Sequence, residues 1–294
     1  MHLMDVYEEV VRVRKQGAKA ALATIVRRFG STPRKDHAKM LIHEDGSFVG
    51  TVGGGCVEAE IWEEAKRVMN NGSATLLSYE LTQDDAENEG LICGGKVEIF
   101  VEPILPDPKV VLMGAGHVGQ AIAEAAHRVG FQVAVLDDRE AFANSERFSH
   151  AQETVVGPYT SGLEQIQIGP TSFVLVVTRG HSHDQTALEQ AIQTQAQYVG
   201  LVGSRRKIQL IVKNLLEKGH TPDAFDRLYA PIGLEIGSET PEEIAVSVLA
   251  ELIAIRKGVH QRSEKQLFIV KVLDKAKQQA LQADQGETKE VHVG

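Results

Sequence analysis

Hydrophobic and polar positions follow two different patterns along this chain of 294 residues. Up to about residue 104, helical spacing of apolar residues over 3–17 and 57–72 alternates with short runs that are typical of strands. The pair Asp45-Gly46 lies between two such runs and predicts a tight hairpin turn. This mixture predicts an α+β domain over residues 1–104.

From about residue 105, apolar strands alternate with helices. The strands read KVVLMGAG, FQVAVLDD, TSFVLVVTRG and YVGLVGS, and most of them lead directly into a helical pattern. Near-continuously apolar strands in this alternation predict an α/β fold with a parallel, doubly wound, Rossmann-like sheet over residues 105–258. The proline-rich segment PILPDPKV before it predicts a stiff linker between the two domains.

The last segment, residues 259–294, is polar and differs from both domains. It carries one helical pattern, KQLFIVKVLDKAKQQALQ, over 265–282, and it ends in a solvated stretch. The apolar side of this helix needs a surface to cover it. We therefore expect a homodimer.

Composition narrows the classes of partner. The formal net charge is -9 and no basic stripe stands out, so nucleic acid is not expected as a main partner and an anionic membrane surface would repel the chain. The first residues lack the features of a secretory signal, and no uncharged apolar run reaches the roughly 18 residues that span a bilayer. Two cysteines do not form a disulfide framework, which favours the cytoplasm with both thiols reduced.

A glycine fingerprint follows the first strand of the second domain. Gly114, Gly116 and Gly119 fit the pattern G-x-G-x-x-G between a strand and a helix, and Asp137 ends the next strand. In this context Gly114 permits the tight turn, Gly116 lets a pyrophosphate approach the backbone, and Gly119 lets helix and strand pack closely. Asp137 is then expected to accept hydrogen bonds from a ribose diol, as in proteins that bind NAD or another adenine nucleotide.

Two neighbours of this fingerprint leave alternatives open. Arg139 weakens the preference for NAD over NADP, because a cation suits a 2′-phosphate. His117 lies inside the loop, where it is either a ligand contact or a polar residue that opens the helix. A Rossmann-like fold that has kept its shape and binds nothing explains the same pattern.

The only two cysteines of the chain both adjoin glycines. The stretch GTVGGGCVE precedes a helix, so its backbone N–H groups are candidates for an anion-binding nest, and the helix dipole lowers the pKa of a thiol there. Glu58 and Glu60 oppose that shift. The alternative for each cysteine is a small buried hydrophobic residue. The candidate residues of the two loops are Gly53, Gly54, Gly55, Cys56, Cys93, Gly94 and Gly95.

Three further loops carry polar residues that suit a ligand. Arg34 lies in the turn GSTPRK, where it is either a clamp for a phosphate or carboxylate or part of a solvated loop. His181 and His183 follow a strand, at the edge where doubly wound sheets bind ligands, and they are either ligand contacts or exposed loop residues. With Asp184 they could form part of a metal site, but Asp184 is rather expected to cap the next helix. Arg205 follows Ser204, a good N-cap, at the start of another helix, where a bound anion would compensate its charge.

Taken together, these motifs resemble the XdhC/CoxI family of accessory factors for molybdenum hydroxylases such as xanthine dehydrogenase. The resemblance runs from about residue 5 to about residue 257 and leaves the tail outside. It is carried, in order, by ATIVRRFGSTPR, AKMLI, GTVGGGCVEAEI, CGGKVEIFVEP, GAGHVGQAIA, DDREAFANSERF, TRGHSHD, GLVGSRRK and PIGLEIGSETPEEIAVSVLAEL.

The resemblance implies a maturation factor without turnover of its own. Such a factor binds the molybdenum cofactor, assists its sulfuration and inserts it into a client hydroxylase, with a cysteine desulfurase as a further expected partner. The cofactor is a pterin dithiolene with a terminal phosphate and a soft metal, so the glycine loops suit the phosphate, and Cys56 or Cys93 suits the molybdenum. The alternatives are an NAD-dependent oxidoreductase and a nucleotide-sensing regulatory protein.

Overall fold

The computed structural model of the chain describes residues 3–15, 17–30, 38–53, 56–81, 95–259, 267, 269–275 and 278. Backbone contacts divide the chain into two units, Met1–Asp107 and Pro108–Gly294. Each unit has hydrophobic clusters of its own.

The first unit is a five-stranded antiparallel sheet with a helix against each face. Its elements are α1 (Leu3–Lys15), β1 (Ala20–Gly30), β2 (Lys39–His43), β3 (Phe48–Gly50), α2 (Cys56–Asn71), β4 (Thr75–Leu81) and β5 (Gly95–Ile104). The strand order is β3-β2-β1-β5-β4. Neighbouring residues of a strand point to opposite faces, so Ala21 and Ala23 join one hydrophobic cluster with α2, while Ala20 and Leu22 join another with α1.

The predicted hairpin of the first unit is confirmed. β2 and β3 pair antiparallel around the turn at Asp45 and Gly46. Gly46 has φ +86°, a conformation that side chains with a Cβ rarely adopt. The carboxylate of Asp45 accepts hydrogen bonds from the backbone N–H and the hydroxyl of Ser47. The turn is therefore fixed by the residues that predicted it.

The second unit is a six-stranded, fully parallel sheet. Its elements are β6 (Lys109–Met113), α3 (His117–Arg128), β7 (Gln132–Asp137), β8 (Glu153–Val156), β9 (Ser172–Val176), α4 (His181–Ala191), β10 (Tyr198–Leu201), α5 (Arg205–Glu217), β11 (Leu228–Tyr229) and α6 (Pro241–Arg256). The order is β11-β10-β9-β6-β7-β8, and every pair is parallel. This confirms the doubly wound, Rossmann-like prediction.

Both faces of the parallel sheet are covered. Along β6, Val111 and Met113 join the hydrophobic cluster that includes residues of α4 and α5. Val110 and Leu112 join the cluster that includes residues of α3 and α6. A strand buried on both faces needs apolar residues at every position, which is why its sequence shows no alternation. β8 and β11 were not predicted, because β8 is half-exposed and β11 has only two residues.

The helices of the second unit begin in two different ways. Ser204 caps α5, and Thr240 with Glu243 forms a capping box at α6, where Pro241 takes the first helical position as predicted. By contrast, α3 and α4 begin after glycines and have no side-chain cap. Within the part of the chain that the structure describes, no helix is long and apolar enough to cross a bilayer.

The tail packs onto its own unit. Residues 269–275 are helical, and Ile269 and Leu273 are buried in a hydrophobic cluster of the parallel-sheet unit. The same chain therefore covers the apolar side of this helix. The apolar side of this helix therefore no longer supports the prediction of a homodimer.

Candidate functional site

The second unit brings the predicted loops to the carboxyl ends of its parallel strands. β6 lies between β7 and β9, so the strand order reverses at this point. In open parallel sheets, ligands bind in the crevice outside the strand ends where the order reverses. The loops that follow β6, β7, β9 and β10 form this rim.

The three fingerprint glycines have different surroundings. A Cβ at Gly114 would lie 2.4 Å from the carbonyl oxygen of Val177, and its φ is +127°. A Cβ at Gly119 would lie 2.2 Å from the carbonyl oxygen of Gly114. A Cβ at Gly116, in contrast, would meet no atom within 4 Å. Gly114 and Gly119 are thus required by the fold, whereas Gly116 leaves open space at the surface.

Gly116 also lies directly before α3, so the open space faces the first turn of a helix. It is the N-cap residue, with φ −71° and ψ −172°, and among the described residues the first turn has no side-chain cap. Such N–H groups and the helix dipole favour a phosphate or another anion. The side chain of His117 is exposed and lines a shallow groove with Glu242 and Val246 of α6. His117 therefore contributes its backbone N–H, and not its ring, to the first turn of α3.

Asp137, the expected ribose acceptor, is completely buried at the end of β7. One carboxylate oxygen accepts from the backbone N–H of Ala115 at 2.8 Å and from Arg139 Nη2 at 3.0 Å. The other accepts from Arg139 Nε at 2.8 Å and from the Arg139 backbone N–H at 3.1 Å. Burial raises the pKa of Asp137, but these hydrogen bonds outweigh it and lower the pKa to about 2. The carboxylate is therefore ionised, and protein donors occupy it.

Arg139 is fixed by further contacts besides its hydrogen bonds to Asp137. Its guanidinium lies 3.6 Å from the centre of the Phe142 ring, and its backbone carbonyl accepts from the N–H groups of Phe142 and Ala143. The hydrogen bond to Asp137 raises the pKa of Arg139. This arrangement differs from the expectation, because Asp137 presents its carboxylate to Arg139 instead of to solvent.

A second set of charges links the end of β7 to the loop after β9. Arg179 Nη2 donates to Asp138 at 2.8 Å, and Arg179 Nε lies 3.4 Å from a ring nitrogen of His183. The His183 ring meets the Tyr159 ring edge to face at 5.9 Å. Burial, followed by the charges of Asp137 and Asp138, raises the pKa of Tyr159. His183 thus lies at the rim, and the side chain of His181 lies outside the described residues.

Asp184 does not cap α4, contrary to the prediction. It is the fourth residue of the helix and its side chain is buried. It accepts a hydrogen bond from the Thr178 hydroxyl at 2.7 Å and forms an ion pair with Lys207. Lys207 ties the loop after β9 to the start of α5, where Arg205 is exposed at the first helical position. In sequence Asp184 resembles a capping residue, but in the structure it lies inside the helix and its carboxylate is buried.

Part of the glycine–cysteine loop of the first unit is described. A Cβ at Gly53 would meet no atom within 4 Å, and Cys56 is the first residue of α2. Glu58 accepts from the Thr51 hydroxyl at 2.5 Å and from the Val52 N–H at 3.3 Å. Glu58 therefore fastens the loop, a role that its charge alone did not predict. Gly54, Gly55 and the side chain of Cys56 lie outside the described residues.

Of the remaining predicted site residues, only Gly95 lies in the part of the chain that the structure describes. Gly95 begins β5, opposite Gly30 of β1 and Leu81 of β4. Among the described residues, no group of three or more His, Cys, Asp or Glu side chains is arranged to hold a metal ion. The predicted residues Arg34, Cys93 and Gly94 lie outside the described part.

The fold and the rim define a Rossmann-type domain with open space at Gly116, before the first turn of α3. Comparison with protein families assigns it more closely. Residues 110–252 match the model described as the XdhC Rossmann domain, and residues 13–80 match the model described as the XdhC and CoxI family. The chain belongs to the XdhC and CoxI family, as its motifs predicted.

Three relatives align along most of the chain. The Escherichia coli protein YqeB is 38% identical, and the alignment covers 87% of this chain and 47% of YqeB. A Bacillus subtilis protein named as a probable xanthine dehydrogenase subunit is 28% identical over 82% of this chain and 94% of its own length. The E. coli molybdenum cofactor insertion chaperone PaoD is 23% identical over 86% of this chain and 88% of its own length. The chain spans about half of the length of YqeB.

Proposed function

We propose that this chain is an accessory factor of a molybdenum hydroxylase such as xanthine dehydrogenase. In this proposal it binds the molybdenum cofactor, assists its sulfuration and delivers it to the client enzyme, without turnover of its own. Membership of the XdhC and CoxI family and the names of two aligned relatives support the proposal. We propose the predicted division into residues 1–104, 105–258 and 259–294 as its functional division.

The observation that carries the proposal is the open cradle at Gly116. The terminal phosphate of the molybdenum cofactor needs hydrogen-bond donors that a Cβ does not obstruct. Gly116 has open space beside it, and the first turn of α3 has no side-chain cap. Backbone N–H groups that lie on a rigid strand–helix turn bind an anion without rearrangement. The N–H groups at His117, Val118 and Gly119 would therefore hold the phosphate.

The glycine–cysteine loops supply the second part of the proposal. Cys56 and Cys93 are proposed contacts of the molybdenum, because a thiolate is a soft ligand that suits this metal. Gly53 beside the first loop is open, which suits a ligand that approaches the backbone. The bound cofactor would supply the molybdenum and its exchangeable sulfur ligand. A cysteine desulfurase is the proposed source of that sulfur, and the cytoplasm is the proposed location.

The test measures retention of the cofactor under anaerobic conditions. The full chain is mixed with free molybdenum cofactor and desalted, and pterin fluorescence and molybdenum content are read in the protein fraction. Because the phosphate would lose charge-assisted hydrogen bonds, we expect Gly116→Ala to bind the cofactor at least about tenfold more weakly. The matched control is Gly157→Ala directly after β8, where the nearest atoms would lie 3.9 Å from the added Cβ.

Two outcomes of this assay decide the proposal. Retention by the unaltered chain and loss in Gly116→Ala alone support the cradle. Failure of the unaltered chain to retain the cofactor, or to raise the activity of an apo-hydroxylase, contradicts the function. Cys56→Ala and Cys93→Ala test the thiols in the same assay, and full retention in both folded variants removes the thiols from the proposal.

A further inference from the structure

The expectation that the fingerprint binds NAD meets a specific obstacle at the end of β7. In a Rossmann domain that binds NAD, the acidic residue at this position receives the ribose diol. Here both oxygens of Asp137 already accept two hydrogen bonds each, three of the four from Arg139 and one from Ala115. No part of Asp137 is exposed to solvent. A ribose would have to displace Arg139 before it could be recognised.

The same pair also disfavours NADP. A 2′-phosphate requires a cation that is free to turn toward it, but Arg139 Nε and Nη2 both point at Asp137. The ring of Phe142 covers one face of the guanidinium. Asp138, paired with Arg179, adds a second carboxylate within 3.8 Å of Arg139 Nε. A phosphate here would meet like charges and a cation that is already neutralised.

We propose that Arg139 is a specificity-determining residue that closes the adenosine-ribose position of the second unit, so that this domain rejects NAD and NADP. The phosphate cradle at Gly116 stays open, while the position that would read the nucleoside is filled by the protein's own ion pair. The ligand class that remains is a phosphate ester whose organic part does not extend over the end of β7. This inference is independent of the proposed cofactor function.

Arg147 provides a matched control within the same cluster. Its guanidinium lies 4.8 Å from the same Phe142 ring, but its hydrogen bond goes to Gln120 at 2.9 Å and not to Asp137. Replacement of either arginine removes one cation from the face of Phe142. Only replacement of Arg139 uncovers the Asp137 carboxylate.

The test is calorimetric titration of the full chain with NAD, NADP and ADP-ribose. The unaltered chain and Arg147→Gln are expected to show no saturable binding. Because the freed carboxylate can accept a ribose diol, Arg139→Gln should bind NAD and ADP-ribose saturably, at least about tenfold more tightly than the weakest affinity that the titration detects. Arg139→Lys, which keeps a charge beside Asp137 but lacks the planar fork, should give a smaller gain.

The controls separate this proposal from loss of folding and from the proposed function. Thermal unfolding shows whether each variant is folded, and Arg139→Lys serves if Arg139→Gln is not. Gain of NAD binding that disappears again in Arg139→Gln/Asp137→Asn supports the proposal. Micromolar binding of NAD or NADP by the unaltered chain overturns it, as does a folded Arg139 variant that binds no more nucleotide. Neither result depends on retention of molybdenum cofactor.

Discussion

The ends of the neighbouring strands β6 and β7 both belong to the Rossmann fingerprint, but one is open and the other is occupied by the protein's own side chains. After β6, Gly116 leaves open space and the first turn of α3 has no side-chain cap. After β7, Asp137 is buried and fully engaged by Arg139 and Ala115. One end of the Rossmann fingerprint is therefore open, while donors of the protein itself occupy the other.

This difference separates what a backbone motif determines from what a side-chain motif determines. The glycines act by lacking a Cβ, so their effect follows from the turn itself and can be inferred from spacing. The effect of Asp137 depends on which hydrogen-bond donors occupy its carboxylate. A residue two positions further along decides that outcome, and a dinucleotide motif alone does not include it.

The largest effect on the open strand end is expected at Gly119. A Cβ there would lie 2.2 Å from the carbonyl oxygen of Gly114, a backbone atom that cannot move without disturbing the turn. We expect Gly119→Ala to lower the free energy of unfolding by about 3 kcal/mol, even though alanine favours a helix. Urea denaturation followed by circular dichroism measures this loss.

Gly116→Ala is the comparison variant for this measurement. Its backbone angles suit any residue and its Cβ would meet no atom, so the loss should be about 1 kcal/mol or less, as expected for an N-cap change. Equal losses at Gly116 and Gly119 would show that the two glycines have the same role. That result would contradict the open cradle.

The next largest effect concerns the Asp137–Arg139 pair and pH. The pKa of Asp137 is lowered from its ordinary value of 3.8 to about 2 in the folded protein, so ionised Asp137 favours folding. This stabilisation is complete above about pH 4 and is lost as the pH falls toward 2, and the shift corresponds to about 2 kcal/mol. Chemical denaturation at several pH values measures it.

Asp137→Asn provides the control for the pH series. The asparagine cannot ionise, so the variant should be less stable near neutral pH and should lack this part of the acid-induced loss. Parallel curves for the two proteins between about pH 5 and pH 2 would show that Asp137 does not carry the stabilisation. The closed state of the β7 end would then lack its electrostatic basis.

Much of the fold was predictable because local patterns agreed with the tertiary structure. The hairpin at Asp45-Gly46 formed as predicted, and so did the alternation of strands and helices after residue 105, apart from the unpredicted strands β8 and β11. The tail helix shows the limit of such patterns. Its apolar residues Ile269 and Leu273 predicted a covering surface, but sequence could not tell that the surface lies in the same chain.

The candidate site was predictable only where backbone geometry decides it. The sequence assigned no site role to Tyr159 or Phe142, and they contribute to the rim because the fold places them near Asp137 and Arg139. Asp184 was predicted to cap a helix, yet it is the fourth residue of α4 and contacts Thr178 and Lys207. Three-dimensional contacts of the side chains decide these roles, and the sequence pattern alone does not specify them.

The most direct test of the contrast between the two strand ends is an amide chemical-shift titration of the full, isotope-labelled chain. The N–H groups of Val118 and Gly119 report on the open cradle, and that of Ala115, bonded to Asp137, reports on the closed end. We predict that molybdenum cofactor shifts Val118 and Gly119, and that NAD shifts none of the three. A shift of Ala115 on addition of NAD, or an unchanged first turn of α3 with the cofactor, would contradict this account.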